Sequence, residues 1–431
     1  MNAAFSEFKP VLKVPAFKRL WLAQLFSLTA QNGIHFVQLV LIERLTGHSL
    51  QIGFMIAAFS LPPVIFSFVA GMVVDRIPKK WIIISANLFR GLLAISYIFT
   101  LIWFKNAPTA LLLLIYTITF LGSSAGSFYN PAMLSTLPLL VEDDQLIVAN
   151  SLFNFTIAVA QLGGLIILAP AAVKILGLAG AFALMGLFYI LAFILVLKLP
   201  RDAGHKSMRS MASASRMWHE VREGWVFVAR HRDVYLAVIQ LTLVSSLMMI
   251  LAMIAPGFSV RVLGMAPEDA VLVFAPAGIG MVAAIFGLTR FASKISVTKL
   301  QSYMLLLAAA AFGAISYISF DYTSFSKTEQ IGTRQVSVAV LMVATAVTFL
   351  GFALYVINTV AQTTLQKNTP EALRGRIFTV QFMMASLVGL GPLLVAATLA
   401  DLIGIPAMLF WLSVGCLLVG AVSIYDAYRN G

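Results

Sequence analysis

The sequence predicts an all-α, polytopic membrane protein with twelve membrane-spanning helices in two six-helix bundles. Stretches of about twenty apolar residues recur between Leu20 and Ile424, and this is the length that a helix needs to cross ~30 Å of hydrocarbon. The composition, with 60% hydrophobic residues, 11% charged residues and a mean hydropathy of +0.95, provides too little polar surface for a soluble chain of 431 residues. We therefore expect lipid to cover most of the surface.

The twelve predicted spans alternate with short polar loops. They cover residues 20–42, 51–74, 81–103, 109–129, 149–173, 179–198, 234–258, 270–290, 300–319, 336–357, 378–400 and 407–424. An even number of spans places both termini on one side, whose loops and tails hold 22 Lys and Arg against 6 on the other side. Arg90 is predicted near a membrane boundary. Because cytoplasmic loops retain the basic residues, both termini are predicted to be cytoplasmic.

The basic charge of the chain does not indicate nucleic-acid binding. The net charge of +12 is spread over every second loop, which is typical of residues that set topology beside an anionic leaflet. Cys416 is the only cysteine, which excludes an intramolecular disulfide and a thiolate metal cluster. We find no phosphate-binding glycine loop, metal-ligand cluster or nucleophile with a base partner, so no enzyme activity, cofactor or metal is expected.

The longest cytoplasmic segment divides the chain into two halves. We predict an N-terminal bundle at 1–199, a cytoplasmic linker at 200–232 and a C-terminal bundle at 233–431. Residues 201–215 are rich in Ser, Ala, Gly and basic residues, as flexible linkers are. The next part repeats apolar residues at helical spacing, which favours a helix along the inner membrane interface over a solvated extension into span 7. These apolar residues are Trp218, Val221, Trp225 and Val228.

A weak internal repeat supports the division into halves. Span 4 ends in Tyr129 and Asn130 and leads through Leu146 to span 5, and a similar order leads through Leu373 to span 11. Leu146 and Leu373 are 227 residues apart, which is close to half the chain. This spacing is typical of parallel structural repeats.

Polar residues form stripes inside four predicted spans. In span 1, the side chains of Gln24, Gln31, His35 and Gln38 fall within about 60° of one another at 100° per residue, and Asn32 flanks them. Similar stripes lie in spans 4, 5 and 10: Tyr116, Ser123, Ser127 and Asn130; Asn150, Asn154 and Gln161; Tyr355, Asn358 and Gln362. Polar groups at membrane depth pair or line a water-filled cavity, so the stripes predict a central pathway.

The predicted pathway residues are Gln31, Asn32, His35, Gln38, Gln161, Asn358 and Gln362. The alternative interpretation is that these groups form hydrogen bonds between helices and serve packing alone. His35 is the candidate for a proton relay because imidazole titrates near neutral pH, although a neutral hydrogen-bonding role is the alternative. Gly391 and Pro392 predict a bend in span 11, since proline removes a donor from the helix.

The most specific string lies between spans 2 and 3 and reads Gly71-Met-Val-Val-Asp75-Arg76-Ile-Pro-Lys79-Lys80. It resembles the signature loop of the major facilitator superfamily, in which a glycine is followed by Asp-Arg and a basic pair, with Pro78 in place of the usual glycine. Further strings are similar to the drug-exporter subgroup that includes macrolide and siderophore efflux proteins. They are Phe17-Lys-Arg-Leu-Trp21, Asn87 with Arg90-Gly91, Asn130-Pro131-Ala132, Glu223-Gly224 and Leu373-Arg374-Gly375-Arg376.

The resemblance implies the major facilitator fold and export of amphipathic small molecules by alternating access. Exchange for protons is implied too, although Asn32 stands where such exporters often have an acidic residue. The resemblance places the protein in the bacterial inner (plasma) membrane, and we expect a monomer whose partners are its substrate and the bilayer. The alternatives are a lipid or lysophospholipid flippase of the same fold, which would use Arg90 or inner basic residues on a headgroup, a membrane enzyme, and a receptor that transports nothing.

The resemblance also implies a cytoplasmic gate. Its residues are Gly71, Asp75, Arg76, Lys79, Lys80 and Arg90. Gly71 is expected to let span 2 approach span 11 closely, and Asp75 to cap that contact. The basic residues are expected to bind acidic groups or helix C-termini on the cytoplasmic face.

Overall fold

The computed structural model describes residues 8, 10–200, 214–291, 296–321, 328–331, 334–370 and 373–429. Residues 201–213 of the predicted flexible linker lie outside this range. The described chain is almost entirely helical, and it divides into two compact units. One unit comprises Met1–Leu45 and Phe54–Ala214, and the other comprises Thr46–Gly53 and Ser215–Gly431.

The N-terminal unit is built from six helices. They are α1 (Pro15–Thr46), α2 (Ser49–Arg76), α3 (Lys79–Trp103), α4 (Pro108–Thr136), α5 (Leu146–Gln161) and α6 (Ala169–Leu197). Short 3-10 turns at Leu137–Leu139 and Asp143–Gln145 lead from α4 to α5. At one end of the core, the rings of Phe17 and Phe153 lie 5.9 Å apart, and the Trp21 indole donates to Thr156 Oγ1 at 2.6 Å. These contacts join α1 to α5.

The C-terminal unit contains the remaining helices and the first turn of α2. The helices are α7 (Ala214–Arg230), α8 (Arg232–Arg261), α9 (Ala270–Phe274), α10 (Pro276–Phe291), α11 (Val297–Phe320), α12 (Val338–Lys367), α13 (Arg374–Met383), α14 (Leu390–Leu402) and α15 (Ile405–Arg429). A 3-10 turn at Pro267–Asp269 precedes α9. Strands β1 (Thr328–Ile331) and β2 (Arg334–Ser337) pair antiparallel just before α12, a hairpin that the sequence analysis did not predict.

Eleven helical stretches of the described chain are long and apolar enough to cross a membrane. One of them, Leu146–Leu197, has 52 residues and covers both predicted spans 149–173 and 179–198. At 1.5 Å per residue it would measure about 78 Å, which is more than twice the thickness of the hydrocarbon. Gly177 interrupts it with a φ of 71°, a conformation that glycine adopts without strain. The number twelve and the cytoplasmic termini stay predictions.

Two π-helical segments occupy corresponding places in the two halves. They cover Leu162–Leu168 and Met384–Val388, and their starts are 222 residues apart, close to the offset of the predicted repeat. In the first segment, a Cβ on Gly164 would lie 2.7 Å from the Thr29 carbonyl oxygen, so glycine is required for the contact with α1. The predicted bend residues Gly391 and Pro392 follow the second segment directly, where the α-helical ladder is already interrupted.

The segment predicted as an interfacial helix forms helix α7, and its place at the membrane interface stays a prediction. Val221 and Val228 are buried, with 6% and 2% of their surface exposed, whereas Trp225 is 41% exposed. A Cβ on Gly224 would lie 3.2 Å from the Arg376 carbonyl oxygen of α13. Because glycine has no side chain, α7 approaches α13 closely and packs one of its faces on the C-terminal unit.

Glycines also set a close helix contact in the C-terminal unit. A Cβ on Gly280 of α10 would lie 2.8 Å from the Phe352 nitrogen of α12, and one on Gly351 would lie 2.7 Å from the Ala277 Cα. Two glycines on facing helices therefore let the backbones of α10 and α12 touch, as small residues do in membrane helix pairs.

Candidate functional site

A small polar cavity of about 40 Å³ lies inside the N-terminal unit. It is lined by Gln31, Ile34, His35, Gln38, Arg90, Leu93, Ala94, Tyr97, Ile118, Thr119, Gly122, Ser123 and Tyr189. Three predicted pathway residues, Gln31, His35 and Gln38, meet here because positions i, i+4 and i+7 share one face of α1. At 10–15 Å³ per water, the cavity has room for roughly three water molecules.

Gln38 joins three helices at one end of the cavity. Its Nε2 donates to the hydroxyls of Tyr97 on α3 and Thr119 on α4, the latter at 3.0 Å, and those two hydroxyls lie 2.9 Å apart. The Tyr97 ring stacks on Phe182 of α6 with 4.4 Å between ring centroids. The Oε1 atom of Gln38 is buried without a hydrogen-bond partner. Gln38 therefore serves packing and still leaves an acceptor available at the cavity.

His35 is held by the neighbouring helix α2. Its ring stacks on Phe59 with 4.5 Å between centroids and 16° between planes. Ser123 of α4 donates to the Phe59 carbonyl oxygen at 2.6 Å, which fixes this part of α2 in turn. The imidazole therefore has a defined position in the cavity wall.

Arg90 lies in the cavity, while its predicted place near a membrane boundary and its role in a cytoplasmic gate stay predictions. Because α3 begins at Lys79, Arg90 is eleven residues along the helix, about 16 Å from its start. The side chain is only 3% exposed. Its Nε donates to the Gly122 carbonyl oxygen at 3.2 Å, and the guanidinium faces the rings of Tyr129 and Tyr189 at 5.2 and 5.6 Å.

Two buried groups of α3 have unsatisfied hydrogen-bonding atoms. The Nη1 atom of Arg90 and both amide atoms of Asn87 have no hydrogen-bond partner among the described residues. Sequence reasoning did not select Asn87 as a site residue. Its spacing of three from Arg90 was the available signal, because residues i and i+3 lie on one face of a helix.

The other predicted pathway residues do not line this cavity. Asn32 packs against Gly164, whose Cβ would lie 3.2 Å from the Asn32 Cβ, and its amide donates to the Leu28 carbonyl oxygen at 2.9 Å. Gln161 is exposed in the N-terminal unit. Asn358 and Gln362 belong to α12 of the C-terminal unit, where Asn358 is half-buried and Gln362 is exposed.

The signature loop binds the end of α6 through one lysine. Lys80 donates to the carbonyl oxygens of Leu197, at 2.9 Å, and of Leu199. This contact meets the expectation that the basic pair binds helix C-termini.

Other residues of the signature loop make fewer contacts. Asp75 and Arg76 are exposed and bond to no described residue, and Lys79 is half-buried. A Cβ on Gly71 would meet no described atom within 4 Å, and the close approach of spans 2 and 11 expected there stays a prediction. The roles of Asp75, Arg76 and Lys79 in a gate stay predictions.

A second polar site, which sequence reasoning missed, lies in the C-terminal unit. Asp401, at the end of α14, accepts hydrogen bonds from the backbone amides of Ser49 and Leu50 at 2.8 and 2.9 Å. Arg261 of α8 lies 3.3 Å from the same carboxylate and donates to Ser49 Oγ at 2.7 Å. A carboxylate at the first turn of α2 satisfies free amides and opposes the positive end of the helix dipole.

The described residues contain no group of three or more His, Cys, Asp or Glu side chains that could hold a metal ion. The polar atoms that line the cavity are amides, hydroxyls, one imidazole and one guanidinium. This set of groups can bind and orient a polar ligand by hydrogen bonds and charge.

Comparisons with solved structures show the same fold at low sequence identity. A mutant of the nucleoside transporter NupG matches with a TM-score of 0.72 and 11% identity, covering 95% of this chain and 99% of the other. A bacterial homologue of the iron transporter ferroportin in an inward-facing state matches with a TM-score of 0.69 and 14% identity, covering 96% of this chain and 98% of the other. A POT family transporter in complex with 5-aminolevulinic acid matches with a TM-score of 0.68 and 11% identity, covering 96% of each chain.

Sequence comparisons identify the family and leave the substrate class open. No curated protein matches the chain significantly. The sequence profile described as Major Facilitator Superfamily matches residues 20–392, which is most of the chain. The profile, the apolar helices and the solved transporters of the same fold agree: this chain is a multi-pass membrane protein that belongs to the major facilitator superfamily.

Proposed function

We propose that this protein is a secondary transporter that exports amphipathic small molecules by alternating access, in exchange for protons. The observation that carries the proposal is the cavity in which Gln31, His35, Gln38 and Arg90 meet, within helices that are long and apolar enough to cross a membrane. Polar groups placed there at a cost to stability are expected to serve a transport pathway. The direction of transport rests on the resemblance of the signature loop and its flanking strings to drug exporters.

The wall of the cavity suits a ligand with one polar end. Apolar side chains such as Ile34, Leu93 and Ile118 alternate with the polar groups. A drug-sized ligand needs a site of about 300–1,000 Å³, so a cavity of about 40 Å³ admits only a headgroup. We infer that the apolar part of the substrate extends outside this cavity during transport.

His35 is the proposed proton-coupling residue. Among the groups that line the cavity, imidazole is the one that normally titrates near neutral pH. Its stacking on Phe59 keeps the ring at the cavity wall, where its protonation would change the charge that a bound substrate meets.

The test measures accumulation of macrolides, cationic dyes, anionic amphiphiles and lysolipids in cells that lack their own pumps. Cells that contain this protein are expected to accumulate less of at least one compound, and a protonophore is expected to restore accumulation. Unchanged accumulation of every compound, with the protein present in the membrane, would contradict export. Lower accumulation that the protonophore does not restore would contradict proton exchange.

Variants connect transport to the cavity. Gln31→Ala and His35→Ala are expected to reduce transport at equal expression. Thr117→Ala is the matched control, because Thr117 is exposed on α4 and donates to the Leu113 carbonyl oxygen of its own helix. Parent-like transport by both cavity variants would reject the site assignment.

A second candidate function is a lipid or lysophospholipid flippase. The observation that favours it is a cleft of about 650 Å³ among α2, α3 and α4, whose wall is apolar apart from Ser85. Trp81 and Phe89 at this cleft are half exposed, and they would contact an acyl chain. Movement of lysolipids without any effect on soluble compounds would support this function over drug export.

A further inference from the structure

We propose that the cavity of the N-terminal unit is an anion site, in which Arg90 binds a carboxylate or phosphate group of the transported amphiphile. This inference rests on the proposed transport function and specifies the substrate class. The observation behind it is a buried guanidinium that pairs with no carboxylate of the described residues, next to a cavity of the size of a headgroup.

The first argument is the unbalanced charge of Arg90. A guanidinium stays protonated in proteins and carries five N–H donors. Here Nε binds one backbone carbonyl, Nη1 is buried without a partner, and no carboxylate of the described residues bonds to the group. The tyrosine rings at 5.2 and 5.6 Å offset only part of the desolvation cost. An oxyanion would supply both the missing charge and the missing acceptors.

The second argument is the space beside this charge. The cavity of about 40 Å³ borders Arg90, and its size suits a small headgroup that carries a carboxylate or a phosphate. The guanidinium would repel a cation bound in this cavity. A purely apolar group would leave the N–H donors of the guanidinium unsatisfied. The chemistry of the wall therefore selects an anionic headgroup.

The third argument concerns the acceptors on the opposite wall. The Oε1 atoms of Gln31 and Gln38 are buried without a hydrogen-bond partner. These carbonyl oxygens cannot bind an oxyanion, but they can accept hydrogen bonds from a ligand hydroxyl. The site therefore fits an oxyanion with a neighbouring hydroxyl, as in a hydroxycarboxylate or a glycerol phosphate.

The fourth argument is that α4 is shaped to receive the guanidinium. Gly122 provides the carbonyl that binds Nε, and one turn later a Cβ on Gly126 would collide with Arg90 Nη2. A Cβ on Gly122 itself would meet only Leu93 Cδ1, at an ordinary 3.8 Å. Gly126 is therefore a positioning residue for the guanidinium. Gly415 of α15, where a Cβ would meet no described atom within 4 Å, offers a matched control.

The experiment measures ligand binding to the full-length protein in nanodiscs by calorimetry. The probes are 3-hydroxydodecanoate, its methyl ester, dodecyltrimethylammonium and lysophosphatidate. The parent is expected to bind an anionic probe at least about tenfold more tightly than the ester, since a charge-assisted hydrogen bond contributes about 1.5–3 kcal/mol. The proposal would be overturned if the protein bound 3-hydroxydodecanoate no more tightly than its methyl ester, and also bound lysophosphatidate no more tightly than that ester.

Substitutions at Arg90 test the charge and its geometry separately. Arg90→Gln is expected to abolish the preference for anions, and Arg90→Lys to retain part of it, because lysine keeps the charge and loses the planar fork. Selective binding of the hydroxycarboxylate supports a soluble amphiphile as the source, and selective binding of lysophosphatidate supports a lipid headgroup. An anion preference that survives Arg90→Gln would overturn the site.

The glycine pair tests position without changing the charge. Gly126→Ala is expected to weaken anion binding, whereas Gly415→Ala is expected to bind as the parent does. Circular dichroism and thermal unfolding establish that each variant is folded. If Gly126→Ala does not fold, the Arg90 variants decide the result. Equal anion affinity of the two folded glycine variants would contradict the positioning role.

The outcomes separate this inference from the proposed function. Anion binding that depends on Arg90, without movement of the probe into proteoliposomes, would keep the site and reject transport. Transport of neutral or cationic compounds that Arg90→Gln leaves unchanged would keep transport and reject the anion site.

Discussion

The two units treat their buried polar groups differently. In the N-terminal unit, buried side-chain atoms without a hydrogen-bond partner include amides and a charged group: Gln24, Gln31, Gln38, Asn87 and Arg90. In the described part of the C-terminal unit, the corresponding atoms are the hydroxyls of Ser259, Ser337 and Thr369. The C-terminal unit instead pairs its polar groups, as Gln240 and Gln301 do through reciprocal amide bonds of 3.1 and 2.7 Å.

The two charged sites make this contrast clearest. Asp401 accepts two backbone amides and faces Arg261, so its charge is matched within the protein. The Arg90 guanidinium contacts one backbone carbonyl and two aromatic rings, so its charge is balanced only in part. Removing one member of a paired set leaves its partners unsatisfied and costs stability, whereas a buried charge that lacks partners already carries such a cost in the folded protein. The contrast therefore assigns structure to Asp401 and ligand binding to Arg90.

The largest effect on stability is expected at Asp401. Asp401→Ala removes the acceptor of two backbone amides and the partner of Arg261, and we expect the free energy of unfolding to fall by about 3 kcal/mol. Thermal unfolding in detergent measures the change. Asp75→Ala removes the same charge from an exposed position and is expected to have little effect. Equal unfolding temperatures of Asp401→Ala and Asp75→Ala would contradict a structural role for Asp401.

The opposite sign is expected at Arg90. Arg90→Met replaces a buried, partly satisfied charge by an apolar side chain of similar length, and we expect stability to rise by about 2 kcal/mol. The same unfolding experiment measures it, with the exposed Arg76→Met as the control. A clear loss of stability would show that Arg90 is a structural residue, and the contrast with Asp401 would fail.

A smaller gain is expected at Asn87. Asn87 is fully buried and neither of its amide atoms has a partner, so Asn87→Leu is expected to stabilise the protein by about 1 kcal/mol. The exposed Asn150→Leu provides the comparison, because its amide donates to the Leu146 carbonyl oxygen near the surface. Destabilisation by Asn87→Leu would indicate that a bound water or ligand normally satisfies the amide.

The smallest effect is expected for the ion pair of Glu223 and Arg376. Both side chains are partly exposed, at 43% and 32%, and water weakens such pairs. A double-mutant cycle with Glu223→Gln and Arg376→Gln is expected to give a coupling free energy below about 1 kcal/mol. A coupling free energy as large as the effect of Asp401→Ala would show that solvent exposure does not weaken the Glu223–Arg376 pair relative to the contacts of Asp401.

Local patterns predicted much of the fold and part of the site. Apolar runs predicted the helical, membrane-spanning class, and a period of 3.6 residues placed Gln31, His35 and Gln38 on one face of α1, where the structure has them at one cavity. The same period predicted α7 from its apolar residues. These successes have one cause, because a helix converts sequence spacing directly into direction.

Local patterns gave no information where distant segments decide the environment. The place of Arg90 at a cavity could not be predicted, because the space beside Gly126 is not visible in local hydropathy. Asp401 was passed over because its partners, Ser49 and Arg261, are about 350 and 140 residues away in the chain. Asn32 was grouped with the pathway because its contact with Gly164 depends on how α1 meets the π-helical segment.

The sequence by itself determined the class of protein, the approximate helices and the faces that carry polar groups, since all three follow from composition and period within single helices. Only the tertiary structure decided which of those polar groups have hydrogen-bond partners. A hydrogen bond requires atoms from different helices to come within about 3 Å of each other, as at Arg90 and Gly122 or Asp401 and Ser49. Hydropathy and spacing contain no information at that length scale, which is where function is separated from packing.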